Sequence, residues 1–227
     1  MARRGAESAV NLYAVIPSIS RRESLTALVN VLANDGVHVI VVDTGYAEPL
    51  NFGGAWQSRI TILEDKDEPK NISRWWNRGL TYADMTQWDS DECGKEYVVA
   101  VLNDDVVAPS GLVKGLADAI IRHDVVAAFP DVWGLGYDAV LHQPGPLRMS
   151  GYAFALRGSR NLRADESLLW WYGDNDIEWQ ALQSGGVALA GGLTIQHLYP
   201  SSTTVGELAE QAGRDGETFV KKWGRHP

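Results

Sequence analysis

Cysteine is all but missing from this 227-residue chain: Cys93 stands alone, so no intrachain disulfide can form, which suits a reducing compartment. No apolar run approaches the roughly 20 residues that a membrane-spanning helix needs. Met1 to Gly5 leads into mixed polar residues with no hydrophobic segment behind it, so the expectation is a soluble, cytoplasmic protein. Arg3 and Arg4 read as part of a solvated tail. Positive charge is scarce as well, with 20 Lys and Arg against 29 Asp and Glu and a net charge of -9, which argues against nucleic-acid binding through the overall field. Glycine is lacking where phosphate loops require it. The first apolar run is followed by Pro17-Ser18-Ile19-Ser20-Arg21, which fits neither a P-loop nor the glycine-rich triphosphate loop of a nucleotidyltransferase.

What is present has ordinary globular composition, 45% hydrophobic and 22% charged, in a chain long enough to bury a substantial core. An apolar run from Asn11 to Ile16 precedes a segment from Glu23 to Asn34 with Leu25, Leu28, Val29 and Leu32 at helical spacing. Asn34-Asp35-Gly36 then supplies a stop, and Val37 to Val42 reads as a second buried strand. This βαβ start predicts an α/β fold. Further strands are expected at 60–63, 97–102 and 125–129, with helices at 71–83 and 111–123 and an acidic link from Asp84 to Glu96. Trp75 and Trp76 occupy adjacent helical positions, which points one of them away from the core.

The second half reads as an extended loop over 131–149, a strand near 151–156 and a helix after Asp174. A strand pair over 187–197 follows, then a terminal helix over 205–223 broken near Gly213 and Gly216. Strands repeatedly finish in polar residues on one edge of the predicted parallel sheet, the edge where open α/β sheets bind ligands.

One such strand end dominates. Tyr97 to Leu102 runs straight into Asn103-Asp104-Asp105. Adjacent carboxylates at a buried strand end repel unless a positive group joins them, and a hard divalent cation takes oxygen ligands. A polar turn explains the same three residues, since Asn and Asp favour turns and Pro109-Ser110-Gly111 follows.

Four stretches in order carry a resemblance. Val15-Ile16-Pro17-Ser18-Ile19-Ser20-Arg21, Val41-Val42-Asp43-Thr44-Gly45, Asn71 to Gly79 and Leu102-Asn103-Asp104-Asp105 resemble the motifs of inverting glycosyltransferases of the GT-A fold, family 2. Gly173-Asp174-Asn175-Asp176-Ile177 is similar to that family's Glu-Asp-x-Asp-Leu signature, and Ile195-Gln196-His197 to its late histidine. Ser20 replaces the usual Asn, Gly173 the usual Glu and Gln180 the usual Arg.

The resemblance implies a Rossmann-like, mainly parallel central sheet with helices on both faces, in one domain over 1–227. Residues 11–130 would bind the nucleotide sugar, 131–204 would hold acceptor and catalytic groups, and 205–227 would form the C-terminal helix. It implies a UDP- or GDP-type donor held by Pro17, Ser18, Arg21, Asp43, Asn77 and Asp104, and Mn2+ or Mg2+ on Asp105 and His197. Asp174 would be the catalytic base, with a frame shifted to Asp176 as the alternative. Trp170, Trp171 and Asp176 would meet the acceptor, and Pro200 to Thr204 would form a closing loop.

The acceptor is expected to be soluble: a protein, a glycan, a small molecule or a hydroxylated DNA base. DNA would have to meet Arg74, Arg78, Lys221, Lys222 and Arg225. The competing reading is an inactive sugar-nucleotide-binding or assembly module on the same fold.

Overall fold

The structure is a computed structural model that describes residues 10–54, 56–89, 94–198 and 206–227. Arg3, Arg4, Cys93 and the expected closing loop from Pro200 to Thr204 lie outside the described residues. The chain runs β1 (Asn11–Ser18), α1 (Arg22–Asn34), β2 (His38–Asp43), β3 (Ile60–Glu64), α2 (Ile72–Asp89), β4 (Tyr97–Leu102), β5 (Val106–Val107) and α3 (Leu112–His123). It continues through β6 (Ala127–Pro130), β7 (Ala139–Leu141), β8 (Ala153–Arg157), α4 (Gly173–Ser184), β9 (Val187–Ala190), β10 (Gln196–His197) and α5 (Glu207–Trp223).

Eight strands form one sheet in the order β3-β2-β1-β4-β8-β6-β9-β7. The first four are mutually parallel, β8 runs antiparallel between β4 and β6, and β7 closes the far edge antiparallel to β9. Period-two alternation divides the strands between two cores. Ala14, Ile16, Val98, Ala100 and Leu102 face α1 and α3, whereas Tyr13, Val15, Val99 and Val101 face α2 and α4. All six residues of β4 are buried, as a central strand covered on both faces requires. Pro17 is tolerated in the central strand β1 because the β1–β4 ladder ends at Val15 opposite Val101, before the missing N–H would be needed on that side.

Helix α2 lies hard against the sheet. A Cβ on Gly79 would stand 2.3 Å from Val15 Cγ1, so the approach is possible only with glycine there. The helix also outruns its apolar pattern by about one and a half turns, converting the start of the expected acidic link into helix. Polar contacts hold that extension: Asn11 Nδ2 donates to Gln87 Oε1 at 2.9 Å, and Asp84 accepts from Tyr97 OH and pairs with Arg163. Trp75 and Trp76 are both buried in the same core, against the expectation that one would face out. The segment 164–171 covers α2 on its second side, so Trp75 meets Trp170 edge-on while Trp76 meets Phe154.

Helix α5 is continuous where a break near its glycines was expected. Gly216 is buried against the Tyr172 ring, where a Cβ would stand at an ordinary contact distance of 3.4 Å, and it does not interrupt the helix. Around this contact Phe219 and Trp223 pack on Trp179, and Phe219 on Tyr172, joining α5 to α4.

Candidate functional site

The C-terminal ends of β1, β2 and β4 bring Ser18, Asp43 and Asp104-Asp105 to one edge of the sheet. Ser18 lies opposite Asp43 in the β1–β2 ladder. Asp43 is buried, its Oδ1 accepting from Gly45 N at 3.1 Å and Tyr46 N at 2.9 Å, while Lys66 Nζ stands 3.5 Å from Oδ2. The turn thus formed places Tyr46 beside Ser18. Ser18 Oγ donates to Asp104 Oδ2 at 2.6 Å, so its single proton is spent there, and Tyr46 OH must be the donor in its 2.8 Å contact with Ser18 Oγ. Burial raises the Tyr46 phenol above its ordinary pKa, which keeps that donor protonated. Burial also raises the Asp104 carboxyl, with the Ser18 hydroxyl and Arg21 working in the opposite sense.

Asp105 sits deeper, 1% exposed. Its Oδ2 accepts from Arg21 Nη1 at 2.6 Å, and the same nitrogen reaches Asp104 Oδ1 at 3.1 Å. The short antiparallel pair of β5 and β10 sets His197 opposite Val106, and Leu198 N donates to the Asp105 carbonyl at 3.0 Å. This carries His197 Nε2 to 3.0 Å from Asp105 Oδ1. The contact lacks hydrogen-bond geometry, and Asp105 Oδ1 is a buried oxygen without a hydrogen-bond partner. A buried, unpartnered carboxylate oxygen beside an imidazole nitrogen is a donor set suited to a divalent cation. The two side chains together fall short of a closed protein cage: among the described residues no cluster of three or more acidic, His or Cys side chains forms a metal site.

The His197 ring stacks on Tyr152, with centroids 4.5 Å apart and planes within 12°. The neighbouring Gly151 leads to α4, where its backbone N–H hydrogen-bonds Asp174 and a Cβ would stand 3.2 Å from Asp174 Oδ2. Asp174, in the first turn of α4, keeps part of its surface open to solvent but is packed closely enough for desolvation to raise its pKa. One turn later stands Glu178, which sequence reasoning passed over although its i+4 spacing from Asp174 marks it. It is buried and accepts from Met149 N at 2.8 Å. Burial pushes its carboxyl up to about 7, the Met149 amide and Arg148 working downward and the Asp174 charge upward.

This has a consequence for stability. A carboxyl whose pKa rises on folding contributes stability at low pH that is lost as pH climbs from its ordinary value toward about 7. Over a window of about 2.5 pH units at 1.36 kcal/mol each, the loss is on the order of 3 kcal/mol. Glu178→Gln is expected to be more stable than the parent at pH 8 by up to that amount and to lose its advantage near pH 5. Urea unfolding at the two pH values checks it, and a variant weaker at pH 8 contradicts a Glu178 pKa raised by burial.

Two residues expected at the site, Asn77 and Asp176, are engaged by the scaffold. Asn77 donates to Ala164 O at 2.8 Å and to Glu166 Oε1 at 3.0 Å, and accepts from Ala164 N at 2.9 Å, so its amide is used in clasping 164–166 and not in holding a donor. Asp176 is fully buried, accepting from Trp223 Nε1 at 2.8 Å, Gln180 Nε2 at 2.8 Å and Asp165 N at 3.0 Å, and pairing with Lys222 at 2.7 Å. Its carboxylate has no face left for an acceptor. Gln180, at the position of the family's usual Arg, is part of that clasp. Trp171 is partly buried, its indole N–H unpartnered, whereas Trp170 is 37% exposed.

Asp215, unremarked in the sequence, is buried on α5 and accepts from the backbone N–H groups of Leu169, Trp170 and Trp171 at 3.2, 2.9 and 2.9 Å. It fixes the aromatic turn that leads into Asp174. Tyr172, in between, takes a left-handed φ of 65°, a conformation that the packing around it must hold for a non-glycine residue.

No protein-family model and no curated protein sequence matches the chain. Solved structures do. S. aureus TarS 1–349 superimposes with a TM-score of 0.58 at 11% identity, over 95% of this chain and 72% of that one. The same fragment in complex with UDP-GlcNAc gives 0.56 at 11% identity, over 96% of this chain and 74% of the other. A further structure of S. aureus TarS gives 0.60 at 12% identity, over 96% of this chain and 44% of that one. Identity this low speaks to architecture alone: the chain has an α/β, GT-A-like fold with a mainly parallel central sheet.

Proposed function

We propose that the chain is a glycosyltransferase that moves a sugar from a nucleoside-diphosphate donor to an acceptor hydroxyl with inversion. The observation that carries this reading is the pairing of a buried Asp105 Oδ1, which has no hydrogen-bond partner, with His197 Nε2 at 3.0 Å, at the end of the central strand. It stands in a fold shared with TarS, which has been solved in complex with UDP-GlcNAc.

Asp105 Oδ1 and His197 Nε2 would hold Mn2+ or Mg2+. A divalent cation bound there supplies charge that offsets the negative charge developing on the departing diphosphate. Arg21 adds a second positive group on the same side. Ser18, Pro17 and the Asp43 turn would fix the nucleotide end, and Lys66 beside Asp43 adds a donor of hydrogen bonds there.

Asp174 would accept the acceptor's hydroxyl proton as the new bond forms. Its raised pKa makes it a better proton acceptor than an ordinary exposed Asp, provided that it is ionised at the working pH. One base and no nucleophile means a single displacement, so the product's anomeric configuration is opposite to the donor's. The exposed face of Trp170, two positions before the base helix, suits a sugar ring.

A hydroxylated base in DNA is the acceptor favoured least by the charges. Arg74 and Arg78 engage Asp65, Lys222 engages Asp165 and Asp176, and Arg225 lies over Trp179. A protein, a glycan or a small molecule fits better, and the described residues include no helix long and apolar enough to cross a membrane.

The test is nucleoside-diphosphate release from a panel of UDP- and GDP-sugars with Mn2+. Steady release that is lost in Asp105→Ala is the expected result. Donor binding without turnover on any acceptor would favour an inactive binding module.

A further inference from the structure

Arg21 precedes α1, and its side chain is 41% exposed. Its Nη1 bridges two adjacent buried carboxylates, Asp105 Oδ2 at 2.6 Å and Asp104 Oδ1 at 3.1 Å. Asp105 therefore divides its two oxygens. One is held by the protein's own cation; the other, Oδ1, has no hydrogen-bond partner and stands 3.0 Å from His197 Nε2.

A guanidinium on Oδ2 weakens Asp105 as a cation ligand in two ways: it neutralises the carboxylate, and it repels a second positive charge brought to the same group. Yet the Arg21 side chain is 41% exposed, so an incoming diphosphate can reach the guanidinium. Two phosphate oxygens offer it a bidentate match that the single-nitrogen bridge to two carboxylates does not. Ser18 holds Asp104 through the other oxygen, at 2.6 Å, so Asp104 stays in place when the bridge opens, whereas Asp105 is freed toward His197.

We propose that Arg21 is a positioning residue that holds Asp104 and Asp105 together before the donor arrives and passes its contact to the donor's diphosphate. Nucleotide and cation binding are then positively coupled through this one side chain. The inference rests on the cation site put forward under Proposed function.

Titration of the full chain with Mn2+ alone, and again with saturating UDP or GDP, tests it by calorimetry or by the paramagnetic resonance of free Mn2+. Arg21→Gln should bind Mn2+ alone about 10-fold tighter than the parent, and nucleotide should enhance its Mn2+ affinity at least about 5-fold less, within the range usual for coupled sites. Arg21→Lys keeps the charge but loses the planar fork: its Mn2+ affinity without nucleotide should stay near that of the parent while the coupling falls. Arg21→Gln with unchanged or weaker Mn2+ affinity and undiminished coupling overturns this inference and leaves the cation site standing. Absence of Mn2+ binding by parent and variants, with nucleotide present, overturns both.

Discussion

Replacing Asp174 with Asn is expected to lower the rate of transfer by roughly 10²- to 10⁴-fold, the range over which positioned proton acceptors contribute, while nucleotide binding and fold are kept. The amide preserves the shape of the side chain and still accepts from Asn175 N, a 2.9 Å contact in the parent. Stability at neutral pH should not suffer, because burial disfavours the charged carboxylate that the substitution removes. The pH profile gives a second reading. A base must be ionised to act, and desolvation raises the Asp174 pKa, so kcat/KM in the parent should rise with pH through a value above the ordinary Asp range and then level off. Asp174→Asn should erase that limb. Retention of the full rate and the same limb in the variant would take the base role from Asp174.

Two residues along, Asp176→Ala should do the reverse, damaging the fold first. The carboxylate is completely buried and is the meeting point of Lys222, the Trp223 indole, Gln180 and the Asp165 amide. Truncation leaves those donors facing a cavity, and breaking a buried, hydrogen-bonded ion pair typically costs about 3–5 kcal/mol. For a chain of this size that corresponds to a melting temperature lower by about 10 °C. Calorimetry on both variants separates the roles: Asp174→Asn inactive and thermally sound, Asp176→Ala thermally weak. An Asp176→Ala protein as stable as its parent but devoid of transfer would move the catalytic role to position 176.

The contrast shows where sequence reasoning reaches. Apolar alternation and helical spacing locate the central elements because burial is a local, repetitive demand: Val98 to Leu102 must alternate between two cores whatever follows. Polar clustering at strand ends likewise points to Asp43, Asp104 and Asp105. What the pattern hides is the use of polar side chains to tie distant segments. Asn77, Asp176 and Asp215 have the composition of site residues, and their partners lie in segments brought near only by the finished fold. Nothing local distinguishes Asp174, partly open, from Asp176, fully enclosed by the last helix. Glu178 was legible by its spacing, but its raised pKa comes from burial, opposed by Met149 and Arg148 from a loop the sequence leaves featureless. The packing of α5 around Gly216 likewise involves Tyr172 and Trp179, neighbours from outside that helix.

That helix also imposes an order in time. During synthesis the chain emerges from its N-terminus, and β1 to β4, with the Ser18–Asp104 contact, all lie within its first half and can pair before the rest has emerged. The turn carrying Trp170 and the helix carrying Asp174 wait for Asp215, Lys222 and Trp223, which emerge well after those strands. A nascent chain would therefore assemble the strand edge proposed to meet the nucleotide before the turn and helix proposed to meet the acceptor were fixed in place.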